Sequence, residues 1–270
     1  MMSFGRPFGR SRDDPHPSAR RPIMALLNLW RRRFPRRRSR NYLVATTRWG
    51  LTDAVVGYLV GIVAGATASG IAVSIHGDSY GLPVLIAGSV GLWVGFIGAP
   101  LVATRWRGRA SLARDFGFEA RWTDAFIGVP AGVSAQLVVV PAIYLPIRLF
   151  TRVDTDGPAR QLTERARGPG MVALVAVVVI GAPIAEELFF RGLLLRSAIG
   201  RYGPGRGILL TTTIFAATHF QLVQFPGLFI AGLLLAGLAV TTDRLGPAIW
   251  AHAAFNATTV LLLLLTTAQR

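Results

Sequence analysis

The chain has 270 residues, 52% of them hydrophobic and only 16% charged, with no cysteine and a formal charge of +16. The apolar residues come in long blocks, which excludes an ordinary soluble core, and the lack of cysteine excludes a disulfide framework and thiolate chemistry. The charge does not point to nucleic acid: all 29 basic residues are arginines, twelve of them in the first 40 positions, and most others sit in short loops between apolar runs. That is the pattern of cytoplasmic loops beside anionic lipid.

The expected fold is all-α, a polytopic transmembrane bundle of about seven to eight helices. Residues 1–40, rich in Arg, Pro and Ser, read as a disordered basic cytoplasmic arm that contacts anionic lipid. "MALLNLW" (Met24–Trp30) is too short for a signal-peptide core and reads at most as a short interfacial helix. Residues 41–120 hold N-terminal membrane helices and a basic loop; residues 121–270 form the expected transmembrane core.

The first apolar segment is Ala54–Ile75, with Gly57, Gly61 and Gly65 at the spacing that lets another helix approach closely. Plain glycine richness explains that spacing almost as well. The second is Leu82–Thr104, with Gly91 and Gly95 at the same interval. The third, Asp124–Leu149, carries Pro130, Pro141 and Pro146 and is expected to kink. The fourth is Met171–Phe190, the fifth Ile208–Phe225, the sixth Pro226–Val240 and the seventh Pro247–Leu265. The sixth is short for a span of about 20 residues.

Loop charges place the arm inside, "HGDSYG" outside and the five-arginine stretch "RWRGRASLARDFGFEAR" inside. Arg152–Arg167 falls outside by alternation despite its arginines, which predicts an additional re-entrant or interfacial element near residues 105–165. Glu186 and Glu187 then lie near the cytoplasmic end of the fourth helix. Arginine without lysine, beside abundant Ala, Val and Gly, suggests a GC-rich bacterial genome. The expectation is an integral protein of the bacterial plasma membrane with its N-terminus cytoplasmic.

Ionisable groups are costly at a helix centre in lipid, about 2.5–3.5 kcal/mol on insertion scales. Few occur here: Glu186, Glu187 and Arg191 in "EELFFR", His219 in the fifth segment and His252 in the seventh. Glu187 and Arg191 are four residues apart and share a helical face, suited to an ion pair, while Glu186 is turned about 100° away. Phe215 and His219 share the same spacing, as do His252 and Asn256. Each feature alone has a plainer reading: an interfacial ion pair, a packing histidine, an interhelical amide. Together they can do chemistry. Glu186 can take a proton from water that His219 holds, and His252 and Asn256 can donate to a developing oxyanion. Alternatively Glu186, His219 and His252 can ligate a divalent metal such as zinc.

The three motifs, in order, are "EELFFR" (Glu186–Arg191) within "APIAEELFFRG", "FAATH" (Phe215–His219) and "HAAFN" (His252–Asn256). They match EExxxR, FxxxH and HxxxN of the CPBP, or ABI, family of intramembrane endopeptidases, and the stretch from about 120 to 265 resembles that family. It includes the type II CAAX prenyl proteases. The resemblance implies an eight-helix core and peptide-bond hydrolysis within the membrane, acting on a membrane protein or peptide. It implies catalytic roles for Glu186, Glu187, His219, His252 and Asn256, with Arg191 and Phe215 in support. Both metal-dependent and metal-free mechanisms are compatible with it. The competing reading is a non-catalytic membrane scaffold or bacteriocin-immunity-type binding protein.

Overall fold

The computed structural model describes residues 48–79, 81–150 and 157–268. The expected basic arm, 1–40, and its Met24–Trp30 helix lie outside these residues, as does part of the Arg152–Arg167 loop. Residues 42–270 form one compact unit. Among the described residues the secondary structure is entirely helical.

Helix α1 (Leu51–His76) and α2 (Leu82–Arg107) form an antiparallel pair. Glycine is required at their crossing. A methyl group at Gly91 would sit 2.6 Å from the Ala64 carbonyl oxygen, and one at Gly61 would sit 2.8 Å from that of Leu92. The glycine repeats therefore form the contact face, and the two backbones touch where side chains would hold them apart. Asp53 accepts the Gly50 N–H at 2.8 Å and pairs with Arg107 at 3.0 Å, fastening the start of α1 to the end of α2.

The short α3 (Leu112–Phe116) follows, capped by Ser111. Helix α4 opens with a 3-10 turn at Trp122–Asp124, runs through Ala125–Ser134, widens into a π-turn at Ala135–Val139 and continues as Val140–Phe150. The expected irregularity at the prolines takes this form: Val140 N–H reaches back five residues to Ala135, and Pro141 has no N–H to continue the ladder. Helix α5 (Gly157–Arg165) is short and polar. Like α3 it is a short helix between residues 105 and 165, where one re-entrant or interfacial element is expected, and Arg165 pairs with Asp78 of the α1–α2 loop at 3.1 Å.

Helix α6 corrects the expected boundary. It runs from Pro169 to Tyr202, 34 residues, with π-turns at Ala176–Gly181 and Glu187–Leu194. The glutamates are thus mid-helix rather than at a helix end. Hydropathy places the end at the charges, but Arg191 and Arg196 are buried with partners, so the charges do not bring the helix to water. Arg196 bonds the Asp243 carbonyl and pairs with its carboxylate at 2.9 Å. The helix stops at Gly203 (φ +82°), followed by Pro204.

Helix α7 spans only Pro204–Ala217, 14 residues, in place of the expected Ile208–Phe225. Helices α8 (Phe225–Thr242) and α9 (Gly246–Ala268) complete the bundle. Among the described residues six helices are long and apolar enough to cross a membrane; α7 is not one of them. The expected fifth span is therefore not among the six, while the other six expected spans are.

A polar layer closes one end of the bundle. Gly117, in the left-handed region at φ +67°, leaves no room for a side chain beside the Arg196 guanidinium and the Asp243 carbonyl. Its own carbonyl accepts the Leu245 N–H at 2.8 Å, and the Glu119 carbonyl accepts that of Gly246. Asp124 pairs with Arg244 at 2.8 Å. Asp115, itself buried, accepts bonds from the Thr104 hydroxyl, the Arg109 N–H and the Arg109 side chain.

Burial pushes the Asp115 carboxyl upward, but those hydrogen bonds and the Arg109 charge outweigh it and hold its pKa below the ordinary value. With the folded value depressed, its stabilisation is complete above the unfolded pKa of about 4 and is lost as pH falls through the folded value. Asp115→Asn should lower the thermal midpoint of detergent-solubilised protein at pH 7. The gap from wild type should narrow as the pH drops below the ordinary carboxylate range; an unchanged gap would show that the charge contributes nothing.

Candidate active site

Three helices bring the motif residues together. Glu186 and Glu187 come from the middle of α6, His252 and Asn256 from the first half of α9, and Phe215 from the last turn of α7. His219 differs from expectation. It lies beyond the end of α7, in the turn that leads through Phe220 (φ +54°) toward α8. The last carbonyls of a helix have no intrahelical donor. Here the Thr218 hydroxyl and His219 Nδ1 both reach the Phe215 carbonyl, each at 2.8 Å. A carbonyl oxygen only accepts, so Nδ1 carries a proton, and in the neutral ring Nε2 then holds the lone pair.

Glu187 is the best buried of the ionisable groups, with no exposed surface. Its Oε1 accepts from Arg191 NH1 at 2.9 Å and faces His252 Nδ1 at 2.9 Å. The spacing in sequence gives the first contact; the second joins residues 65 positions apart and is invisible to it. Arg191 also donates to the Gly232 carbonyl and lies over the Phe215 ring, 4.2 Å from its centroid. A methyl group at Gly232 would press on Thr212 and Phe215 at 3.0 and 3.2 Å, so the packing beside this bond is tight. The Glu187 carboxylate sets the His252 tautomer, with Nδ1 as donor and Nε2 turned to the other side.

Glu186 occupies that other side. Its Oε2 lies 3.9 Å from His252 Nε2 and has no hydrogen-bond partner among the described residues. Glu186, Phe215, His219, His252 and Asn256 all line one cavity of about 390 Å³. Glu187 and Arg191 stand behind its wall. Asn256 donates from Nδ2 to the Val178 carbonyl at 2.8 Å, which fixes the amide and leaves its second N–H for the cavity.

An aromatic chain supports the wall. Phe96 of α2 stacks on Phe189 at 4.4 Å, Phe189 meets Phe190 edge-on, and Phe190 meets Phe215 edge-on at 5.2 Å. Phe215 in turn meets His219 at 4.9 Å and His252 at 6.1 Å. Such pairs add about 0.5–1.5 kcal/mol each beyond burial.

Gln221 and Gln224 also line the cavity. Sequence reasoning passed over them, although two glutamines in the apolar run "FQLVQF" are a signal. Among the described residues no three His, Asp or Glu side chains converge as a metal cage. His219 and His252 each spend Nδ1 on a protein acceptor, so only Nε2 of each remains as a ligand. The donors do not close around an ion in this arrangement.

Residues 168–258 match the family model of type II CAAX prenyl endopeptidase Rce1-like. This segment is an Rce1-like domain. It contains all three motifs, from before Glu186 to after Asn256. Together with the six membrane-length helices, it makes the chain an integral membrane protein. An uncharacterized 24.3 kDa protein of Escherichia coli is 28% identical over 121 residues, which cover 44% of this chain and 54% of that protein. The match thus spans about half the length of that relative. No solved structure matches.

Removing one partner of a buried ion pair strands the other charge, at a cost of about 3–5 kcal/mol. Arg191→Met should therefore be strongly destabilised toward thermal unfolding in detergent. The double variant Glu187→Gln, Arg191→Met should recover much of that loss. Equal stability of Arg191→Met and wild type would show that Glu187 is not held as an anion.

Proposed function

We propose that the Rce1-like domain is an intramembrane endopeptidase in which Glu186 activates water. One observation carries the reading. The buried Glu186 oxygen, Oε2, has no protein partner among the described residues and faces His252 Nε2 across 3.9 Å, inside a cavity that His219 and Asn256 also line. That separation is too long for a direct hydrogen bond and leaves Glu186 free to bond water.

Glu186 takes a proton from the water, whose oxygen attacks the carbonyl carbon of the scissile peptide. The negative charge moves to the carbonyl oxygen. His252, giving Nδ1–H to Glu187, donates Nε2–H to that oxygen when both ring nitrogens are protonated, and Asn256 adds its second amide N–H. His219 Nε2 accepts from the water and orients it. Glu186 then passes its proton to the leaving amine nitrogen as the C–N bond breaks. Glu187 and Arg191 act by holding His252. Every step uses protein groups and water.

The substrate is proposed to be a membrane protein or membrane-bound peptide, and the setting a bacterial plasma membrane. The arginine-rich segment 1–40 is proposed to lie on the cytoplasmic face against anionic lipid. A second reading has one observation in its favour: the cavity wall is mostly apolar, as a site that binds a hydrophobic peptide without cutting it would be.

The test compares membrane-protein fragments from otherwise identical cells expressing wild type, Glu186→Gln or His219→Ala at equal abundance. A fragment seen with wild type should vanish with Glu186→Gln and fall at least a hundredfold with His219→Ala, within the usual range for losing an acid–base group. Equal fragment profiles with a phenotype that survives both substitutions would support binding without cleavage.

A further inference from the structure

The amide of Asn256 is held by a backbone carbonyl that a regular α-helix would not offer. Val178 lies in the π-turn Ala176–Gly181 of α6. In an α-helix its oxygen would accept from residue 182, and in a π-helix from residue 183. Neither donor serves it. The Ala182 N–H is bonded to the Val177 carbonyl, and residue 183 is proline, which has no N–H. The Val178 oxygen is therefore left over by the helix, and the Asn256 side chain, 78 positions away, supplies the donor at 2.8 Å.

Two requirements are met by one bond. The Val178 carbonyl is part-buried, and a carbonyl kept from water without a donor costs up to about 1–3 kcal/mol, so a partner stabilises it. An unanchored amide can flip, exchanging its oxygen for its nitrogen. An amide oxygen turned toward a developing oxyanion would repel it. The Val178 carbonyl accepts only from the nitrogen end, and so keeps the donor end of Asn256 in place.

We propose that Pro183 is a positioning residue for catalysis: by withholding its N–H it frees the Val178 carbonyl to orient the Asn256 amide. The inference rests on the hydrolytic reading above for its catalytic consequence, but its structural part stands apart from activity. Pro183 is buried and does not line the cavity, so it acts only through its neighbours.

The substitution Pro183→Ala restores an N–H and removes a residue unfavourable within helices, so the variant should fold. The new donor should let the helix take back the Val178 oxygen. The chain has three asparagines, Asn28, Asn41 and Asn256, so selective ¹⁵N-Asn labelling yields three side-chain NH₂ pairs. The pair lost in Asn256→Ala identifies the one of interest. In Pro183→Ala that pair should shift, and its two protons should become more alike as the carbonyl bond weakens. An unmoved pair overturns the proposal.

Cleavage of the wild-type-specific membrane fragment gives the second readout. Pro183→Ala should lower kcat roughly five- to tenfold, the value of one hydrogen bond, with little change in KM. In the Asn256→Ala background it should have no further effect. Losses that multiply in the double variant would show that Pro183 acts elsewhere, and would overturn the proposal. If Glu186→Gln cleaves normally, the hydrolytic reading fails, while the NH₂ pair still decides whether Pro183 sets Asn256.

Discussion

A carboxylate with no exposed surface, Glu187, is the constraint around which the site is built. An ion in such surroundings must be paired and hydrogen-bonded or it cannot remain ionised. Arg191 comes from one turn further along the same helix and His252 from a helix packed across the bundle, and both converge on a single oxygen. Other features are consequences of that convergence. Gly232 offers its carbonyl to Arg191, Phe215 gives the guanidinium a flat ring to lie on, and α9 sits close enough to present His252. The group at the centre thus takes no direct part in the proposed chemistry. It fixes the side chain that does.

Helix α6 is irregular twice, and each irregularity falls beside the site. A π-turn adds a residue to a turn and rotates the C-terminal part of the helix relative to the N-terminal part. The turn at Ala176–Gly181 releases the Val178 carbonyl toward Asn256. The turn at Glu187–Leu194 spans the ion pair itself. Such insertions cost regular hydrogen bonding and are retained chiefly where function uses the altered geometry.

Much of this was legible in the sequence where the physics is local. The glycine spacing of α1 and α2 allowed a close helix approach, with plain glycine richness almost as good a reading, and the structure puts those glycines at the crossing because residues four apart share a face. The same spacing predicted that Glu187 would meet Arg191 and that Phe215 would meet His219. What failed were the ends of α6 and α7. Hydropathy treats charge as a sign of water, but Arg196 finds its partner in the turn before α9, and α6 continues. In the opposite sense, the apolar run beyond Ala217 reads as helix, yet Thr218 and His219 turn their side chains back onto the Phe215 carbonyl and end it. The contacts of His252 with Glu187 and of Asn256 with Val178 cross most of the domain. No short-range pattern encodes them, although the proline that leaves Val178 without a donor is visible once the helix register is known.

The shortness of α7 bears on supply. Fourteen residues rise about 21 Å, against about 30 Å for the hydrocarbon of a bilayer. A helix of that length does not by itself cross such a layer. Irregular backbone within a membrane is tolerated only where protein covers it or water wets it. Here it borders the cavity, which Gln221 and Gln224 also line. The proposed hydrolysis needs water as a second substrate, and the polar groups of this mostly apolar cavity, Gln221 and Gln224 among them, are where such water can be held, beside the chain reversal that positions the histidine.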